Sequence, residues 1–206
     1  LPWVSAVVAH DDTSITVATG IDRAGCKELS HPQATVRHQD DNQVVISVTA
    51  SVVHADDCSA AGRAVFASVS LQRPLGDRVL RDAATSRQHP TYFRSNVPDP
   101  PPNSQWGSVG HLWTDDSWYQ SFQDGPGGAE AHLQALPTAK AHPRPATIAA
   151  IPIGSRQGTI TTNAASQWVL WWEVKQVTYS LTLTPPAGRH LTLDEFKQQI
   201  ARFKWS

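Results

Sequence analysis

Histidines beside paired acids are the first residues of this chain whose types suggest chemistry. His10-Asp11-Asp12 and His54-Ala55-Asp56-Asp57 each join an imidazole to carboxylates, a donor set suited to a divalent ion. Both stretches also read as polar turns, where Asp gathers for backbone reasons. No third cluster stands at a fixed spacing to them, so no metal site is expected. Nine His and many Ser make a Ser-His-Asp trio easy to draw. A Gly-x-Ser-x-Gly elbow, a His-Glu-x-x-His motif and a phosphate loop running into a helix are all missing from the sequence. Ile153-Gly154-Ser155-Arg156-Gln157-Gly158 is loop-like but lacks the Lys-Ser/Thr ending. Glycosidic chemistry needs two acids on converging elements. Asp194 and Glu195 fit a helix start and Asp124 fits a turn, which leaves Glu173 as the one acid on an aromatic segment. No catalytic residue and no cofactor are expected.

Aromatic residues carry the stronger signal. Seven of the eight tryptophans fall in residues 105–206. Trp106, Trp113, Trp118, Trp168, Trp171 and Trp172 have two readings. As a binding face they would recognise sugar rings, lipid chains or peptide segments. As a core, they would latch a Pro-rich segment, as polyproline ligands dock on aromatic grooves. The candidate ligand-binding set is Trp168, Leu170, Trp171, Trp172 and Tyr179, with Trp113 and Trp118.

The element that must position this set is a β-hairpin, Gln167–Glu173 answered by Val177–Leu183. Val177, Tyr179, Leu181 and Leu183 alternate with Thr178, Ser180 and Thr182, as in a strand with one buried face. The outgoing strand is apolar on both faces, Trp168, Leu170 and Trp172 on one and Val169 and Trp171 on the other. Such a strand is covered on both sides or lines a cavity. A helix over 193–203 follows. Thr192-Leu193-Asp194-Glu195 has capping-box spacing, Leu191 and Phe196 are placed for a hydrophobic staple, and Leu193, Phe196, Ile200 and Phe203 share a side. This helix is expected to pack on the hairpin's sheet.

Upstream, residues 1–13 read as polar and 14–20 as an edge strand, with Ile15 and Val17 alternating with hydroxyls. Short strands are expected near 34–37 and 79–80, the strongest strand of this half at 44–53 and another at 64–71, with a turn at 39–42 and a Pro/Gly turn at 73–78. Residues 105–120 read as irregular, 129–136 as either strand or helix, and 148–153 and 158–162 as short strands. Pro90, Pro98, Pro100, Pro101 and Pro102 oppose helix or central strand. The fold class is therefore mainly β (α+β). A disulfide-bearing antiparallel β-sandwich spans 1–86, a Pro-rich linker 87–104, and an antiparallel sheet with a packed C-terminal helix 105–206.

Composition narrows the function. The chain has 206 residues, 40 % of them hydrophobic and 17 % charged, enough for one large or two small cores and too apolar for bulk disorder. A net charge of −1 gives no general pull toward nucleic acid or anionic membrane. The sequence has no Met, and its first residue is Leu1. The expectation is a removed signal peptide or upstream membrane anchor. Cys26 and Cys58 are the only cysteines, and both lie in polar, turn-like settings. A disulfide in an oxidising compartment is expected, contributing roughly 3.5 kcal/mol by chain entropy.

The Cys26 loop, the Val-rich strand, Cys58 and then Val69-Ser70-Leu71-Gln72-Arg73-Pro74-Leu75-Gly76-Asp77-Arg78 resemble a domain of secreted or membrane-anchored actinobacterial proteins of unknown function. The resemblance implies that Pro74–Arg78 closes a small β-domain. The aromatic hairpin and Leu-Thr-Leu-Asp-Glu helix are similar to lipoprotein-carrier and sigma-factor-regulator sensor modules, which implies a curved antiparallel sheet with a helix against it. Neither resemblance brings catalytic residues.

Three functions remain in view. The first is an exported, non-catalytic cell-envelope binding or sensor module, presenting the hairpin–helix face to an unknown protein partner or a hydrophobic small molecule. The second is a structural or interaction protein whose aromatics are internal. The third is a secreted hydrolase with an unrecognised site. No nucleic acid is expected, and membrane only through the removed anchor.

Overall fold

A computed structural model describes residues 1–19, 27–54, 65–102, 104–114, 117–141 and 144–205. Cys26, Cys58, Asp56 and Asp57 lie outside the described residues. The fold is mainly β with one C-terminal helix, and it divides into two compact units.

The first unit is built on Leu1–Arg94. Its strands are β1 (Trp3–Val8), β2 (Ser14–Thr19), β3 (Lys27–Gln39), β4 (Gln43–His54), β5 (Phe66–Ser70), β6 (Val79–Asp82) and β7 (Thr91–Phe93). They form two sheets, β5-β2-β1-β7 and β3-β4-β6. Each sheet carries one parallel pair among antiparallel ones, β1 with β7 and β4 with β6. Trp3, Ala6, Val8, Ile15 and Val17 from one sheet meet Val44, Ile46, Val48 and Leu80 from the other in a common core. The Trp3 indole donates to Ile46 O at 3.2 Å, joining the sheets. Residues 3–8, expected to be polar, form β1. Its alternation is interrupted by a bulge between Trp3 and Ser5 and by a buried serine, Ser5. The expected edge strand, β2, is interior, between β1 and β5. Its outward hydroxyls find a neighbour, Thr16 with Ser68 at 2.9 Å. Alternation reports one solvated face and says nothing about lateral neighbours.

The turn at Pro74–Arg78 is held by the Arg78 side chain and by Asp12, whose backbone O accepts from Leu75 N at 2.6 Å. Leu75 enters the core, and the buried Arg78 guanidinium donates to Arg73 O (2.9 Å), Pro74 O (2.7 Å) and Leu75 O (3.2 Å). Arg73 O and Pro74 O gain a partner in this way, and Leu75 O, which also accepts from Arg78 N at 3.1 Å, gains a second.

The second unit comprises Ser95–Leu112 and Ser117–Ser206. It contains β8 (Trp106–Thr114) as far as Leu112, Trp113 and Thr114 being grouped with the first unit, and β9 (Ser117–Asp124), β10 (Glu130–Pro137), β11 (Ala149–Ile153), β12 (Arg156–Thr162), β13 (Trp168–Val174), β14 (Val177–Thr184) and α1 (Leu193–Arg202). The sheet order is β11-β12-β13-β14-β10-β9-β8. The stretch 105–120, expected to be irregular, holds β8 and the first half of β9. In β9, Trp118, Gln120 and Phe122 face inward, so the inward row includes an amide that conceals the period. The undecided stretch at 129–136 is strand β10, with Ala131, Leu133 and Ala135 buried.

The Pro-rich stretch 87–104 is shared between the units rather than standing apart from both. Thr91–Phe93 is β7 of the first unit, whereas Asn96 and Val97 are buried in the second. Asp99 forms an antiparallel bridge with Lys204, with both N–H···O bonds made at 2.9 and 3.0 Å. Helix α1 starts with the expected capping box: Thr192 Oγ1 accepts from Glu195 N and Glu195 Oε2 accepts from Thr192 N. Phe196, Ile200 and Phe203 are buried. Gly158 is required by close approach, since a Cβ there would stand 2.6 Å from Leu170 Cδ1.

Candidate functional site

The β13–β14 hairpin turns through Lys175 and Gln176, both with positive φ (48° and 67°). That is the backbone sign a two-residue turn of the primed type requires. Register pairs Leu170 with Leu181 and Trp172 with Tyr179, so the two faces of the hairpin separate cleanly.

On the inner face Leu170, Trp172 and Tyr179 are buried. Trp172 stacks on Tyr179 (centroids 5.4 Å, 9°) and meets Trp205 edge-on (5.3 Å, 85°). Its indole donates to Asn96 O at 2.9 Å. Asn96 is a hub, because its Oδ1 also accepts from Arg156 Nη2 at 2.9 Å. Trp168 is half-buried and donates to Leu191 O at 2.8 Å, tying the hairpin to the approach of α1. Trp106 meets Phe203 at 5.4 Å, and Trp118 is buried.

The outer face is different. Trp171 is half-buried there, its indole donating to Thr161 Oγ1 at 2.8 Å. The Arg144 guanidinium stands 5.8 Å from the ring centroid, a cation–π arrangement. Arg144 also pairs with Glu173. Thr178 Oγ1 lies 3.0 Å from Thr138 Oγ1 and 3.4 Å from Glu173 Oε1. Sequence singled out Glu173 as the acid of the aromatic segment, and its immediate partner is this arginine. Farther along the face, Gln134 donates to Tyr119 OH at 2.7 Å. Ser121 Oγ lies 3.1 Å from His132 Nδ1, and His132 Nε2 lies 3.1 Å from Glu130 Oε2.

The hairpin therefore collects Trp168, Leu170, Trp171, Trp172 and Tyr179 but divides them between faces. The backbone of Trp113 belongs to β8. The Ser121–His132–Glu130 chain was missed by sequence reasoning. His132 and Glu130 are two apart on β10, and Ser121 is the ladder partner of His132, so only the register reveals it. His10-Asp11-Asp12 serves a turn. Asp11 accepts from Ser14 N and Thr13 N (both 2.9 Å), and these bonds, led by that from Ser14, hold its carboxyl well below the usual range. Asp12 Oδ2 accepts from Gly76 N at 2.9 Å. Among the described residues no three His, Cys, Asp or Glu gather as metal ligands, and no helix is long and apolar enough to cross a membrane.

No protein-family model, curated protein or solved structure matches the chain.

Proposed function

We propose that the chain is an exported, non-catalytic binding or sensor module of the cell envelope, and that it meets a protein partner through the outer face of the β13–β14 hairpin. The carrying observation is Trp171, a half-buried ring with Arg144 over it and Glu173 beside it. Aromatic and arginine side chains together are enriched at the centres of protein contacts. The apolar side chains that would suit a hydrophobic small molecule, Leu170, Trp172 and Tyr179, already have protein covering. A photo-crosslinking residue at Gln134 should give a discrete adduct in the native envelope, and the same residue at Gln198 on α1 should give none. Absence of any adduct at Gln134 sinks the partner reading. A saturable change of tryptophan emission with long-chain fatty acids, lost in Trp171→Ala with the dichroism retained, would transfer the reading to a ligand carrier.

Export is supported by the resemblance of Pro74–Arg78 and of the hairpin–helix segment to exported modules. The Cys26–Cys58 pair fits it. Unreduced exported protein should resist thiol alkylation; two alkylated cysteines would remove the compartment argument.

A secreted hydrolase is the second reading, favoured by the Ser121–His132–Glu130 chain, in which a hydroxyl, an imidazole and an acid are within reach. Fluorophosphonate labelling of Ser121, lost in His132→Ala, would favour it.

A further inference from the structure

Strand β8 is an edge of the seven-stranded sheet, and it differs from the other edge strands among the described residues. The opposite edge, β11, has 5 residues and includes Pro152. In the first unit β7 has 3 residues, β5 has 5, and β6 has 4 with Arg81 and Asp82 among them. The long β3 carries Lys27, Pro32, Arg37 and two register shifts. Shortness, charge, proline and bulges are the devices that keep exposed edges from pairing with other chains. Strand β8 runs for 9 residues without a charge or a proline.

Gly107, Ser108, Val109 and Gly110 are exposed, Val109 by 58 %. Neither glycine has a positive φ, and a Cβ at either would meet nothing within 4 Å. The packing of the sheet does not call for glycine at these positions, and glycine weakens a strand interior. Bare backbone on both sides of Ser108-Val109 is what the close approach of another strand uses.

We propose that β8 pairs with β8 of a second copy of this chain, antiparallel about a two-fold axis through the self-paired position Val109. Val109 of one copy then faces Val109 of the other, and Ser108 faces Gly110. A second copy fits because an uncharged strand meets no like charge when it pairs with itself. Antiparallel self-pairing is also isologous, so it closes at the dimer. The exposed stretch 107–110 is about 14 Å long, and one such pairing buries less than the roughly 1,000 Å² of a stable interface. Association is therefore weak and concentration-dependent. It stands independently of the outer-face reading.

Sedimentation velocity of the full chain over a roughly hundredfold concentration range tests this. A monomer–dimer equilibrium is expected, weakened at least tenfold by Val109→Lys, which sets two cations near the axis. Ser108→Lys is the alternative should Val109→Lys fail to fold. A monomer throughout the range, open-ended aggregation, or a dimer unchanged in a folded lysine variant overturns the proposal.

Discussion

In the first unit, buried charged side chains cap loop backbone: Arg78 donates to three carbonyls, and Asp82 accepts from Ala84 N, Thr85 N and Thr85 Oγ1. The second unit gives much of this work to indoles. Trp168, Trp172 and Trp205 donate to Leu191 O, Asn96 O and Ile200 O. An indole fills core volume and satisfies a carbonyl with one side chain. A guanidinium mostly satisfies carbonyls, and its neighbours supply the volume. The two units should therefore fail differently when their caps are removed.

The largest effect is expected at Trp172. Replacing it with Ala removes a ring that touches Tyr179 and Trp205 and should cost about 3–5 kcal/mol. Trp172→Phe keeps much of the volume but orphans Asn96 O, for about 1–3 kcal/mol. Urea unfolding followed by tryptophan emission reads this, since seven of the eight tryptophans lie in residues 105–206. Arg78→Ala should cost about 1.5–3 kcal/mol in the first unit, followed by circular dichroism. Lysine should not rescue it, because a point charge cannot span carbonyls that a planar fork reaches. If Arg78→Ala proves more damaging than Trp172→Ala, the contrast between the units is reversed.

The hairpin turn sharpens the comparison from the opposite direction. Lys175 and Gln176 hold positive φ without glycine, so Lys175→Asn with Gln176→Gly should stabilise the second unit by about 1 kcal/mol. A pH effect in the first unit is the smallest. The His89 ring packs on Trp3 at 4.9 Å. Burial lowers its pKa from the ordinary 6.5; Asp82 opposes the shift and Arg87 adds to it. The unfolded chain binds this proton more readily than the folded one. The stability contribution is therefore complete above pH 6.5 and falls as pH drops through that value. Melting of the first unit should decline on acidification from neutrality, and His89→Gln should flatten the decline. Exposed Asp40, lowered to about 2 by His38 and then by the Asn42 and Gln43 amides, loses its contribution only at more acidic pH.

What sequence could convey was periodicity and local chemistry. The hairpin, the capping box at Thr192 and the turn at 39–42 each rest on residues within one short window, and each is present. The failures needed distant information. Strand β1 contains a bulge and a buried serine, so its period breaks. The interior position of β2 depends on β5, some fifty residues away. The division of the tryptophans followed from strand alternation, but which face has a cover depended on Asn96 and Trp205, far away along the chain. The Ser121–His132–Glu130 chain depended wholly on the β9–β10 register.

The Asp99–Lys204 bridge has a topological consequence for the second unit. It sets Asp99 and Lys204, from the two ends of the described unit, beside each other, about 5.5 Å apart between Cα atoms for such a pair. A few residues could join them with little loop-closure entropy. The unit is thus suited to circular permutation, with new ends opened at the Gly125–Gly128 loop, and to grafting whole into a surface loop of another protein.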